Sequence, residues 1–433
     1  MRALILLACL AACKDKAPAE QPPTPAPTPA PAPAPPTQEP AVPEARTDMP
    51  PAAEITSLVK ANNNFALELW AHAGTGNTAI SPLSISTALA MAWAGAKGDT
   101  AAEMKKTMHM EGETDVLVSQ WARISQALQD TSRPLKLKLA NRIYGEANYQ
   151  FDTTYFTITR KVFSAPLEIV DFRGNAEAVR AKINAWVEEQ TEKRIKDLLP
   201  PRAVTGDTRL VLVNAIYFLA DWASQFNKEQ TRDVEFFVDG KQAKRVPMMH
   251  LQSSFKHAKG EGAALLEMPY KGGSASMYIL LPDKRDGLPA LERALHAKLK
   301  ALQAKLADTT VLVALPKFVI DPAEPLRLVK PLQALGMKQA FDPEQADLTG
   351  MAKPPDPKDR LYITDVLHKA FVKVDEQGTE AAAATAIVVA TGAGMPAKAT
   401  PFTADHPFLF MIVDRGSGLI LFIGRVTEPK PPT

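Results

Sequence analysis

The chain has 433 residues, 46% of them apolar, which is enough for at least one large folded domain. Its 50 Lys+Arg balance 48 Asp+Glu, so the basic footprint of a nucleic-acid binder is excluded. The two cysteines, Cys9 and Cys13, sit at the extreme start, and the seven histidines show no ligand spacing. No disulfide, thiol nucleophile, metal centre or cofactor is therefore expected in the folded part.

Met1–Cys13, M-R-A-L-I-L-L-A-C-L-A-A-C, has a basic start and a short apolar run, the pattern of an export signal rather than of a membrane span. Leu10-Ala11-Ala12-Cys13 resembles a bacterial lipoprotein box, which implies a lipid on Cys13. Ordinary cleavage nearby is the alternative. Residues 14–53 are a proline-alanine tract that forms neither helix nor sheet and reads as a stalk. At roughly 3.1 Å per residue, such a stalk reaches about 100 Å.

Folded sequence starts near Glu54, where Ile55, Leu58, Val59, Asn62, Ala66 and Leu69 follow helical spacing. Ser81-Pro82-Leu83-Ser84-Ile85 is a capped helix start, and Gly95 is its stop. Thr100-Ala101-Ala102-Glu103 reads as a capping box for the next helix. Leu139–Tyr144 is a strand, and Asn175–Thr191 a helix with Val179, Ile183, Trp186 and Val187 on one face. Leu210–Leu219 is apolar enough for a strand buried on both faces, which makes Asn214 an amide in need of partners. Strands follow at 236–249, 265–270, 276–281 and 310–319, then a short helix at 332–337. Leu361–Val374 is a strand, and Phe408–Phe422 a hairpin turning at Arg415-Gly416-Ser417-Gly418. That Gly-Ser-Gly lacks the strand-to-helix context of a nucleophile elbow. Gly272-Gly273 is likewise a turn rather than a phosphate cradle. No acid/base pair stands out, so the chain is not expected to be an enzyme.

Val374–Met395 carries contradictory signals. The run Ala381-Ala382-Ala383-Ala384 favours helix, yet Gly378 precedes it and the β-branched Thr385, Ile387, Val388 and Val389 follow. At period two, Thr379, Ala381, Ala383 and Thr385 share one face, with Glu380 on the other alongside Ala382 and Ala384. Such a segment can remain exposed or slide into a sheet with only small side chains to bury.

With its flanks, V-L-H-K-A-F-V-K-V-D-E-Q-G-T-E-A-A-A-A-T-A and F-T-A-D-H-P-F-L-F, the stretch resembles the hinge and reactive loop of a serpin. So do N-T-A-I-S-P-L-S-I-S-T-A-L-A-M-A-W-A-G, L-V-L-V-N-A-I-Y-F-L-A-D-W, L-E-M-P-Y, L-P-K-F and L-F-I-G-R-V-T-E-P. The resemblance implies an α+β serpin fold over 54–433, with a large mixed central sheet, about eight to nine helices and a reactive loop at about 376–401. It implies a polar cluster of Ser81, Ser84, Asn214 and His368 where the sheet parts. Trp222, Lys317 and Glu376 are expected where the loop enters.

The implied activity is suicide inhibition of serine proteases, with cysteine proteases as a further class: cleavage of the loop, acyl-enzyme trapping, and insertion of the freed hinge as a strand. Small hinge residues fit an inhibitor. A non-inhibitory serpin acting as a binding protein is the alternative. Family spacing puts the attacked bond between Gly392 and Ala393, with Thr391 or Met395 as alternatives. Gly392 offers a specificity pocket no side chain, which points to an elastase-like or subtilisin-like partner. The expected state is a monomer able to form loop-sheet polymers, and the expected location a lipid anchor at a bacterial envelope or the extracellular space.

Overall fold

The computed structural model describes residues 52–238, 240–354, 356–379 and 399–432. The chain divides into two units, Met1–Ala41 and Val42–Thr433, and the first lies outside the described residues together with Cys13.

Helix α1 (Ala52–Trp70) buries Ile55, Leu58, Ala66 and Leu69, the face its spacing dictates. After strand β1 (Thr78–Ile80), helix α2 (Pro82–Ala94) starts and stops where its caps require. Ser81 is extended, its hydroxyl accepts the Ser84 N–H, Pro82 fills the first turn, and Gly95 closes the helix. Helix α3 (Gly98–Thr107) begins two residues before Thr100, so the expected capping box does not form. Its two side chains are engaged elsewhere: Thr100 Oγ1 accepts the Asp347 N–H at 3.0 Å, and Glu103 accepts those of Lys338 and Gln339 at 2.7 and 2.8 Å. Long-range backbone donors have outcompeted the local ones.

Helix α4 (Thr114–Leu128), strand β2 (Lys136–Glu146), helix α5 (Thr153–Phe163) and strand β3 (Leu167–Val170) follow. Helix α6 (Phe172–Gln190), capped by Asp171, lays Val179, Ile183 and Val187 over Ala140, Tyr144, Val213 and Ala215 of the sheet. Strand β4 (Leu210–Asp221) comes next, then β5 (Arg232–Phe237), β6 (Ala243–Gly260), β7 (Ala263–Pro269) and β8 (Ala275–Pro282). Helices α7 (Leu288–Arg293) and α8 (Leu295–Gln303) precede β9 (Ala307–Pro316), β10 (Phe318–Ile320), β11 (Leu326–Arg327) and helix α9 (Val329–Ala334). The chain closes with β12 (Leu367–His368), β13 (Val372–Val374), β14 (Gly378–Thr379), β15 (Thr400–Thr403) and the hairpin β16 (Phe408–Asp414) and β17 (Ile420–Val426). The α+β expectation holds, with nine α-helices among the described residues.

One sheet has the order β1-β17-β16-β8-β7-β6-β9-β15, with β5 on β6. A second has the order β10-β13-β14-β4-β2-β3 and is mixed, since β2 and β3 run parallel, and β11 with β12 forms a third, two-stranded sheet. The strand expected across Leu361–Val374 survives only as β12 and β13. Residues 361–366 bond instead to other elements, Ile363 N–H donating to Ala340 O in a 3-10 turn at 339–341 and Leu328 N–H, at the start of α9, donating to Val366 O. The physical reason is a cleft of about 710 Å3 that separates them from β4. The same cleft leaves Leu210, Val211, Leu212 and Asn214 only half-buried, although burial on both faces was expected there.

Candidate functional site

The six-stranded sheet is paired unevenly. β4 pairs with β2 along Leu210–Leu219, but on its other edge, among the described residues, only Asp221 and Ala220 have partners, Gly378 and Thr379. Thr379 also pairs with Val374 of β13. The first two residues of the small-side-chain stretch therefore lie as a strand between β4 and β13.

Local chemistry fixes them there. Thr379 is 2% exposed, and its Oγ1 is 2.6 Å from the Tyr270 hydroxyl. Tyr270 stacks on Trp222 at 4.7 Å between ring centroids. Trp222 donates its indole N–H to Asp375 O at 3.0 Å and its backbone N–H to Gln377 O at 2.8 Å. A Cβ on Gly378 would fall 2.7 Å from Asp221 Cα and closer still to the Ala220 carbonyl oxygen, so this approach of two backbones needs glycine. Glu376, 3% exposed, pairs with Lys317 Nζ at 2.9 Å and accepts from Thr231 Oγ1 at 2.8 Å. Burial pushes the Glu376 carboxyl up. Hydrogen bonds from Lys317, its own backbone N–H and Thr231, with the Lys317 charge, outweigh it and hold the group below the usual carboxylate range.

Beside the cleft, β4, β12 and the start of α2 bring together Ser81, Ser84, Asn214 and His368. Ser81 N–H donates to His368 Nε2 at 3.0 Å, and Ser81 Oγ donates to Leu421 O at 2.7 Å. Ser84 Oγ donates to Asn214 Oδ1, and Asn214 Nδ2 donates to Asn141 Oδ1. His368 accepts through Nε2, so the ring is neutral, and burial pushes its pKa down to about 4. Hydrogen bonds of this kind can be exchanged for those of another strand, whereas apolar packing cannot.

The sheet thus holds Gly378 and Thr379 as a short strand between β4 and β13, and a buried polar cluster lies beside the cleft. The family model for serpins, described as serine protease inhibitors, matches residues 60–429. The chain belongs to the serpin family. Leukocyte elastase inhibitor A of Rattus norvegicus is 41% identical over 385 residues, covering 86% of this chain and 99% of that protein. Leukocyte elastase inhibitor of Homo sapiens is 40% identical over 385 residues with the same coverage. Among solved structures, Serpin48 of Tenebrio molitor aligns with a TM-score of 0.76 at 35% identity, over 87% of this chain and 99% of that one. A cleaved serpin, Serpin 42Da, aligns with a TM-score of 0.77 at 31% identity, over 88% and 100%.

These relatives correct one expectation. They are leukocyte elastase inhibitors of animals, 99% of whose length is matched by 86% of this serpin, and this likeness does not point to a bacterial envelope form. The bacterial lipoprotein form, its envelope location and the extracellular alternative are withdrawn. Of the expected site residues, Gly378 and Thr379 form β14 between β4 and β13, with Glu376 two residues before it. Glu380, Ala381, Ala382, Ala383, Ala384, Thr385, Thr391, Gly392, Ala393 and Met395 fall outside the described residues. The sequence reading missed Tyr270, Thr231 and Asn141. A signal existed for Asn141, which faces Asn214 directly in the register of two apolar strands.

Proposed function

We propose that this serpin inhibits serine proteases by offering the segment at about 376–401 as bait and inserting its hinge into the six-stranded sheet after cleavage. The protease cuts the loop and is held as its acyl-enzyme, while the hinge enters between β4 and β13 and carries the protease away. The observation that carries this reading is the pairing of Gly378 and Thr379 between those strands, which gives insertion a started register. The small residues Ala381, Ala383 and Thr385 continue the inward face without bulk. Ser81, Ser84, Asn214 and His368 act as the exchangeable bonds where the sheet parts, and Trp222, Lys317 and Glu376 hold the point of insertion. Serpin loop insertion is an established case of strain released through a switching segment.

The attacked bond is Gly392–Ala393, with the bonds after Thr391 or Met395 as competitors. The target is an elastase-like or subtilisin-like protease, because Gly392 gives a deep or charged specificity pocket nothing to bind. Loop-sheet polymers form when one molecule's loop takes the place of another's. Incubation with pancreatic elastase, subtilisin, chymotrypsin and trypsin tests this reading. A detergent-stable covalent complex with elastase or subtilisin, and a released peptide whose mass begins at Ala393, are expected. Cleavage by every protease without any complex would leave a substrate rather than an inhibitor.

A further inference from the structure

Where α3, α9 and the 3-10 turn Gln339–Phe341 meet, they enclose an open cavity of about 560 Å3, and none of its lining residues belongs to a strand. Its wall is built of long planar side chains: Glu103 from α3, Gln333 from α9, Gln339 and Phe341 from the turn, and Asp342 and Gln345 just after it. Leu332, Met337 and Ala340 are fully buried behind that wall and fix its backbone. One carboxylate oxygen of Glu103 accepts the Lys338 and Gln339 N–H groups, and Asp342 Oδ1 accepts those of Glu344 and Gln345 at 2.8 and 3.2 Å. Thr100 Oγ1 donates to Gln339 Oε1 at 3.4 Å, and Gln345 Nε2 donates to Asp342 Oδ2 at 2.9 Å. Among the described residues, that leaves the Gln339 NH2 without an acceptor, Gln345 Oε1 without a donor, and the Gln333 amide with neither. The wall is therefore held in place while half of its hydrogen-bonding capacity stays free.

We propose that this cavity is a binding site for an uncharged saccharide. Its volume lies within the range of about 300–1,000 Å3 usual for small-ligand sites. The lining decides the class of ligand by exclusion. Pro343 is its one aliphatic residue, so an apolar ligand finds no surface to cover. Glu103 and Asp342 against Lys338 leave one net negative charge, which repels sulfate and phosphate groups. No group of three or more His, Cys, Asp or Glu among the described residues is placed to hold a metal ion. A sugar meets what remains. Each of its hydroxyls both donates and accepts, as the free amide NH2 and C=O groups of Gln333, Gln339 and Gln345 require. The half-buried ring of Phe341 packs on the core and also lines the cavity, and the negative face of a phenyl ring suits the C–H side of a sugar ring. A glycan held there anchors the protein without engaging either large sheet, so the proposal stands independently of the inhibitor reading.

The test uses the full chain and ligand-observed saturation-transfer NMR with maltotriose, mannotriose, chitotriose and N-acetyllactosamine, each titrated through the millimolar range. A sulfated tetrasaccharide cut from heparin is the charged comparator. Gln333→Ala and Gln339→Ala each remove free amide groups from the wall, and the melting temperature of each variant checks that the fold is kept. Transfer to at least one neutral sugar is expected, with affinity falling about fivefold or more in each variant at the parent's melting temperature, and with no transfer to the sulfated sugar. Absence of transfer to all four neutral sugars overturns the proposal. So does a loss of less than twofold in either variant, which would place the sugar elsewhere, or tighter binding of the sulfated sugar than of the neutral ones.

Discussion

Thr379→Arg places a charge at the first inward position of the hinge. The native side chain is buried against the Tyr270–Trp222 stack, and its hydroxyl is the partner of the Tyr270 hydroxyl. An unpaired ion in a protein interior costs several kcal/mol, and leaving the Tyr270 hydroxyl unpartnered adds about 1–3 kcal/mol. The substitution therefore drives this residue out of its place between β4 and β13 in the intact protein, and a cost of even about 3 kcal/mol on re-entry after cleavage slows insertion about a hundredfold. The bait remains as accessible as before, so cleavage proceeds while the acyl-enzyme has time to hydrolyse. The assay is the fraction of elastase recovered in detergent-stable complex, set against the rate at which the loop is cut. The variant is expected to be cut at the parent's rate and to trap little protease. Thr379→Val, which keeps the shape and loses only the hydroxyl, should trap an intermediate fraction. If Thr379→Arg traps as much protease as the parent, the hinge does not enter the sheet through this position and the reasoning fails.

Gly378→Ala should expel the hinge from its place between β4 and β13, because its new Cβ meets backbone on β4 that has no room to move. Lower trapping efficiency, with little change in the rate of loop cleavage, is the expected result, and parental efficiency would show that the close approach is dispensable. His368→Ala leaves the buried Ser81 N–H without its acceptor, a loss of about 1–3 kcal/mol. A lower melting temperature and more polymer on size exclusion are expected, and a parental melt with a purely monomeric profile would count against the role given to His368. The same histidine sets a pH dependence. Its folded pKa of about 4 lies below the unfolded value near 6.5, so the folded state binds fewer protons between them. Stability is complete above about pH 6.5 and falls by about 3 kcal/mol as the pH drops towards 4. This slope, read from unfolding curves across that range, should shrink in His368→Gln.

How much was legible depended on whether a residue's partner is local. The α2 caps Ser81, Pro82 and Gly95 act within one turn of themselves, and the hairpin at Arg415–Gly418 closes through the Gly418 N–H to Asp414 O bond. Both stand where the residues put them. Thr100 and Glu103 have the spacing of a capping box, but donors more than 230 residues away take their oxygens, a competition that spacing cannot show. Leu361–Val366 has strand composition but, among the described residues, no neighbouring strand to complete it, and a ladder needs a partner at the right distance. The grouping of Ser81, Ser84, Asn214 and His368 came through family resemblance. The partners that complete the network, Asn141 beside Asn214 and Tyr270 beside Thr379, emerge only from register and packing.

The central claim is that the cut loop enters the sheet beside β4, whose second edge has only Gly378 and Thr379 as partners among the described residues, and thermal unfolding of intact against loop-nicked protein tests it most directly. Nicking by a protease that cleaves within 391–395 without forming a complex, followed by removal of that protease, supplies the sample. If the hinge enters the sheet, a strand is added and strain released, and the melting temperature should rise by roughly 10 °C or more. An unchanged or lower melting temperature after complete nicking would contradict it.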